Sequence, residues 1–125
     1  MPMTPLHSIL VVEDDPDIRD VVGDVLALRG YRVTCAGHGL EALEILRATA
    51  EKPRLILLDL SMPVMDGWAF LAAQASDPSI DAIPVVVMTA VPTLTAPYPG
   101  TACTRTLRKP IALADLIHAI RDVCP

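Results

Sequence analysis

Three apolar runs in this chain each end on residues able to do chemistry. Val11-Val12 gives way to Glu13-Asp14-Asp15, Leu57-Leu58 to Asp59, and Val87-Met88 to Thr89. A lysine, Lys109, stands just before Pro110. Carboxylates gathered at one place repel one another, and a hard divalent cation relieves that repulsion. Mg²⁺ suits such a set best, because it takes one or two carboxylates, keeps water, and shares its shell with phosphate oxygens. A lysine and a threonine beside it would hold the other oxygens of a phosphoryl group as a point charge and a hydroxyl donor. An aspartate there could attack phosphorus and form an acyl phosphate.

That chemistry needs elements that bring the residues together. Ser8–Val12 reads as a first strand, and Arg54–Leu58 as a third strand buried on both faces, since its apolar run is continuous. Tyr31–Cys35 is the expected second strand and Ile83–Met88 the fourth. Thr104–Arg108 is a weak, polar fifth strand suited to a sheet edge. Pro16 opens a helix with apolar positions Ile18, Val21, Val22, Val25 and Leu26, closed by Gly30. Asp15 before it reads as an N-cap. Leu40, Leu43 and Leu46 mark a second helix. Trp68, Leu71, Ala72 and Ala75 mark a third, entered through Asp66-Gly67. Leu113, Leu116, Ile117, Ile120 and Val123 mark a last helix. Strands alternating with helices imply βαβ units and a parallel sheet, whose ligands bind beyond the carboxyl ends of the strands. With strand order 2-1-3-4-5, strands one and three are neighbours, and Glu13, Asp14 and Asp59 converge.

Between the fourth and fifth strands the pattern fails. Pro92, Pro97 and Pro99 with Gly100 leave room for one helical turn at most, so a fourth helix is expected to be shortened or missing.

"ILVVEDDPDIR", "LILLDLSMPVMDG", "VVVMTA" and "LRKP", in this order, closely resemble the receiver domain of bacterial two-component response regulators. The resemblance runs from Ser8 to Val123 and implies one domain over residues 1–125, with a flavodoxin-like doubly wound five-stranded sheet. It implies that Asp59 is the phosphoacceptor and that Asp14 and Asp59 bind Mg²⁺ directly, with Glu13 acting largely through water. The backbone carbonyl of Ser61 would be a further metal ligand, and Thr89 and Lys109 would touch the phosphoryl oxygens. The implied partners are a histidine kinase or histidine phosphotransfer protein and a downstream protein effector, with no output domain in this chain. One departure concerns the readout. Many receivers carry an aromatic residue three positions before the lysine, and here that position is Thr106.

Two other classes deserve comparison. A Mg²⁺-dependent phosphohydrolase with an aspartyl nucleophile is one, but those of the haloacid-dehalogenase type need a second acid two residues later as general acid, where Ser61 stands. A receiver-like interaction domain that signals without phosphate is favoured by the proline-broken stretch after Val91.

Composition fits the leading reading. Hydrophobic residues make up 52 % of the 125-residue chain and aromatics 3 %, so one aliphatic core is expected. A net charge of -5 argues against nucleic acid and anionic membrane surfaces. No apolar run approaches the roughly 18 residues of a membrane span. No signal-peptide pattern opens the chain. Cys35, Cys103 and Cys124 lack metal-ligand spacing and fit packing in a reducing cytoplasm.

Overall fold

A computed structural model describes residues 8–60, 65–90 and 103–123. Five parallel strands, β1 (Ser8–Val12), β2 (Arg32–Ala36), β3 (Leu55–Asp59), β4 (Val85–Thr89) and β5 (Cys103–Arg108), form one sheet in the order β2-β1-β3-β4-β5. Among the described residues the helices are α1 (Pro16–Leu28), α2 (Gly39–Ala48), α3 (Gly67–Ala75) and α4 (Leu113–Val123). This is the flavodoxin-like arrangement expected. Residues 91–102, where the sequence expects a shortened fourth helix, lie outside the described residues.

The apolar runs divide by the two-residue period of a strand. Leu10, Val12, Ile56, Leu58, Val85 and Val87 face one core with Leu43 and Leu46 of α2 and Phe70 and Leu71 of α3. Ile9, Val11, Leu55, Leu57, Val86 and Met88 face the other with Val22 and Leu26 of α1 and Leu116, Ile117 and Ile120 of α4. Every residue of β3 and β4 is buried, as expected for central parallel strands with helices on both faces. β5 is an edge strand, as its polar sequence predicts.

Burial departs from the sequence reading in three places, on α1, α3 and β2. On α1 only Val22 and Leu26 are buried, and Ile18 and Val21 are 38 % and 62 % exposed. On α3 the buried positions are Gly67, Phe70, Leu71 and Gln74, whereas Ala72 and Ala75 face solvent. The sequence of α3 is apolar nearly all round, so spacing alone does not choose its inward face. Gln74 enters the core because its Nε2 donates to the carbonyls of Ile80 and Ile83, each at 3.0 Å, and so satisfies the turn before β4. Cys35 is exposed on the edge strand β2, against the expectation of packing.

The ends of α1 and α3 follow capping chemistry. The Asp15 carboxylate accepts from the Asp17 and Ile18 amides, and Pro16 occupies the first turn. Gly30, at φ 93°, takes the left-handed conformation after α1. Asp66 caps α3 through the Ala69 amide at 2.8 Å.

Candidate functional site

Register builds the site. Val12 pairs with Leu58, so the next residues, Glu13 and Asp59, emerge side by side where β1 and β3 end. Asp59 pairs with Met88, one residue before Thr89. Thr89 pairs with Arg108, and the Lys109 amide donates to the Thr89 carbonyl at 2.8 Å. Residues scattered over most of the chain therefore meet at the carboxyl edge of the sheet, at its topological switch point.

Glu13 is fully buried, Asp59 is 2 % exposed, and Asp14 lies in solvent. Carboxylate oxygens of the three approach within 4.8 Å of one another, a spacing that fits a shared cation. Lys109 Nζ sits 2.8 Å from Glu13 Oε1 and 3.3 Å from Asp59 Oδ2. Thr89 is buried at the end of β4. Of the residues expected at the site, Glu13, Asp14, Asp59, Thr89 and Lys109 are brought to this edge. Ser61 lies outside the described residues.

The charges are strongly unequal. Burial, together with hydrogen bonding to Asp59, lifts the Glu13 carboxyl to about 7 despite the lysine beside it. For Asp14, burial pushes upward but is outweighed by hydrogen bonds with Glu13 and Asp59, and its acidity rises. Burial likewise disfavours the Lys109 ammonium, yet its hydrogen bond to Glu13 and the acids' charges hold its pKa above the usual value. In the metal-free cluster Glu13 is therefore the more weakly acidic and Asp14 the more strongly acidic of these two carboxyls.

Close contacts among the described residues flank this cluster. Gly67 donates to the Leu60 carbonyl at 2.9 Å. A Cβ on Gly67 would stand 2.7 Å from Leu60 Cα and 2.9 Å from the Asp59 carbonyl oxygen. The glycine of Asp66-Gly67 is required by this close approach, rather than by a turn. Arg19, which sequence reasoning left unassigned, reaches back from the first turns of α1 and donates from Nη1 to the Glu13 carbonyl at 3.2 Å. A signal was present in the spacing, for a helical arginine this near an acidic loop can fold back over it. His38, also unassigned, caps α2 by accepting from the Glu41 amide at 3.2 Å.

Beside Lys109 opens an apolar cavity of about 620 Å³ between α1 and the segment after β5. Ile18, Val21, Pro110, Ile111 and Leu116 line it, which gives the exposed face of α1 a place in the site's surroundings. Thr106 is exposed on β5, at the position where many receivers carry an aromatic ring.

The sequence profile described as the response regulator receiver domain matches residues 9–121. An uncharacterized 14.6 kDa protein of Leptolyngbya boryana is 33 % identical over 122 residues, covering 94 % of this chain and 89 % of its own. Response regulator MprA of Mycobacterium ulcerans is 33 % identical over 115 residues, or 90 % of this chain, and the match spans only 48 % of that protein. Among solved structures, chemotaxis protein CheY4 of Vibrio cholerae superposes with a TM-score of 0.84 at 28 % identity, covering 94 % of this chain and 98 % of its own. The N-terminal domain of a response regulator receiver protein from Methanoculleus marisnigri is 40 % identical with a TM-score of 0.74, over 95 % and 97 % of the two chains. The acidic pocket of Glu13, Asp14 and Asp59 fits the phosphoacceptor site of such proteins, which act in signalling rather than as enzymes of metabolism. The chain belongs to the response regulator receiver domain family.

Proposed function

We propose that Asp59 accepts a phosphoryl group from a phosphohistidine of a histidine kinase or histidine phosphotransfer protein. The observation that carries this reading is the meeting of three carboxylates within 4.8 Å at a strand edge, with Lys109 bridging Glu13 and Asp59. Asp14, Asp59 and the Ser61 carbonyl would hold Mg²⁺, and Glu13 would hold it through water. Bound there, the cation would neutralise the acids and the phosphoryl oxygens. An Asp59 carboxylate oxygen forms the new bond to phosphorus as the phosphorus–nitrogen bond of the donor breaks, and the imidazole leaves with the bonding pair. Lys109 exchanges its contact with Asp59 for one with a phosphoryl oxygen, and the Thr89 hydroxyl donates to another. Hydrolysis of the acyl phosphate by water, releasing inorganic phosphate, would restore the carboxylate.

The donor has to place its histidine over Asp59. The apolar cavity beside Lys109, with Ile18 and Val21 exposed along α1, supports docking of the donor's surface there. Depleted charge and exposed aliphatic residues suit the core of a transient protein interface. A cytoplasmic site of action follows from the proposed donor, and no described helix is long and apolar enough to cross a membrane. A downstream protein effector would read the phosphorylated form.

Acetyl phosphate with Mg²⁺ tests the reading, with intact-mass measurement as the readout. One phosphoryl group should appear, and it should be absent without Mg²⁺ and in Asp59→Asn. No uptake by the wild-type chain would favour an interaction domain that signals without phosphate.

A further inference from the structure

We propose that Arg19 is a positioning residue of the acidic site: its guanidinium fixes the peptide between Glu13 and Asp14, and so sets where both acids point. The proposal rests on the phosphoacceptor reading above and deepens it. The Glu13 amide donates to the Ala36 carbonyl at 3.0 Å, which ties it to β2. Its carbonyl, one residue past β1, is held by Arg19 Nη1 at 3.2 Å. A peptide is planar, so a fixed Glu13 carbonyl also fixes the Asp14 amide and the direction from which Asp14 departs. Asp14 is exposed, and its side chain is hydrogen-bonded with Glu13 and Asp59, so its direction depends on where the backbone sets it. One residue later, the Asp15 amide donates to Glu13 Oε2 at 3.3 Å, so a swing of Glu13 would release that bond.

Arg19 is itself well anchored. Its amide donates to the Asp15 carbonyl at 2.9 Å within α1, and its side chain is half-buried. The guanidinium passes over Gly37, where a Cβ would lie 3.2 Å from Nη1. The Gly37 amide is engaged by Glu41 Oε1 at 2.5 Å, so the loop beneath the arginine is held as well. Arg19 thereby joins the loop after β1 to the loop after β2. On charge alone an arginine here opposes a divalent cation. Its bond to a neutral carbonyl gives it the opposite effect, through geometry.

The two roles predict opposite signs, which makes the test direct. Titration calorimetry with Mg²⁺ on the full chain should show Arg19→Ala binding about 10-fold more weakly, the loss usual for a partner that orients ligands. Arg19→Lys, which keeps a donor and the charge, should recover part of that loss. Gly37→Ala, by crowding the guanidinium, should weaken binding in the same direction by less. Equal or tighter Mg²⁺ binding by Arg19→Ala, at an unchanged melting temperature, would overturn the proposal. Amide exchange in the metal-free protein gives a second readout. The Asp15 amide should exchange faster in Arg19→Ala while amides of β3 keep their protection. Unchanged exchange at Asp15 would overturn the proposal even if the wild-type chain binds no Mg²⁺, an outcome that would itself defeat the phosphoacceptor reading. Should Arg19→Ala fail to fold, Gly37→Ala carries both measurements.

Discussion

Lys109 and Glu13 stand 96 residues apart in the chain and meet at 2.8 Å, the ammonium closer to Glu13 than to Asp59. One lysine therefore braces the acidic cluster across β1, β3 and the end of β5. In the proposed reaction the longer contact, to Asp59, is the one exchanged for a phosphoryl oxygen, while the contact with Glu13 anchors the ammonium.

The burial of Glu13 predicts an unusual pH dependence. Its carboxyl rises from 4.5 to about 7 in the folded protein. Between those values the native state binds more protons than the unfolded chain, so metal-free stability falls as pH rises through this window. A shift of that size corresponds to a change on the order of 3 kcal/mol. Thermal unfolding with a chelator present should show the decline from pH 5 to pH 7.5, and Glu13→Gln should flatten it. A melting temperature that climbs steadily over that range in the wild-type chain would contradict the assignment. Saturating Mg²⁺ should also flatten the slope, since it favours the ionised cluster.

Lys109→Ala should separate metal binding from phosphoryl transfer. Loss of the ammonium removes a charge that competes with a cation, so Mg²⁺ binding above pH 8 should be as tight as in wild type or tighter. Glu13, without its cationic partner, should hold its proton to higher pH still. Phosphorylation by acetyl phosphate should slow by about 10-fold or more, as expected when a donor to the transferred group is lost. Wild-type rates in this variant would make Lys109 a bracing residue only.

Gly67→Ala tests the close contact behind Asp59. The added carbon would meet backbone at 2.7 Å and 2.9 Å, where no flexible side chain can yield. Overpacking of this kind costs about 1–3 kcal/mol, and here it must also displace Leu60 or the Asp59 carbonyl. Urea unfolding should show the loss, and Mg²⁺ affinity should fall with it. Substitution without effect would mean that the loop after β3 shifts freely.

How far the sequence disclosed this arrangement depends on which residues were asked to do one thing. β3 and β4 serve only as central strands, so Leu55–Leu58 and Val85–Met88 read plainly as buried runs. The placement of Glu13, Asp14, Asp59 and Thr89 at one edge was legible because they stand at or just past the ends of such runs. Lys109, in contrast, follows a polar edge strand and is singled out by the Lys-Pro pair and its place after the fifth strand. On α1 the apolar residues serve two surfaces. Val22 and Leu26 enter the core, whereas Ile18 and Val21 border the cavity beside Lys109, and spacing does not separate these uses. Gln74 was hidden for a different reason: its burial is set by the Ile80 and Ile83 carbonyls, which only the folded turn presents to it.

The double use of α1 leads to the last prediction. Val21 is 62 % exposed and lies on the cavity wall, outside the group of carboxylates that would bind metal. Val21→Lys removes apolar surface and places a charge where a donor protein would dock, yet it buries nothing unfavourable in the free chain. Stability should stay within about 0.5 kcal/mol of wild type, as for an exposed position. A small donor such as acetyl phosphate does not need the cavity wall, so its rate should change little. Transfer from a phosphorylated histidine protein should drop about 10-fold, corresponding to roughly 1.4 kcal/mol of lost docking energy. Measuring both rates on the same preparation separates docking from chemistry. If both fall together, Val21 acts on the acidic site itself; if neither falls, the donor approaches Asp59 from another side.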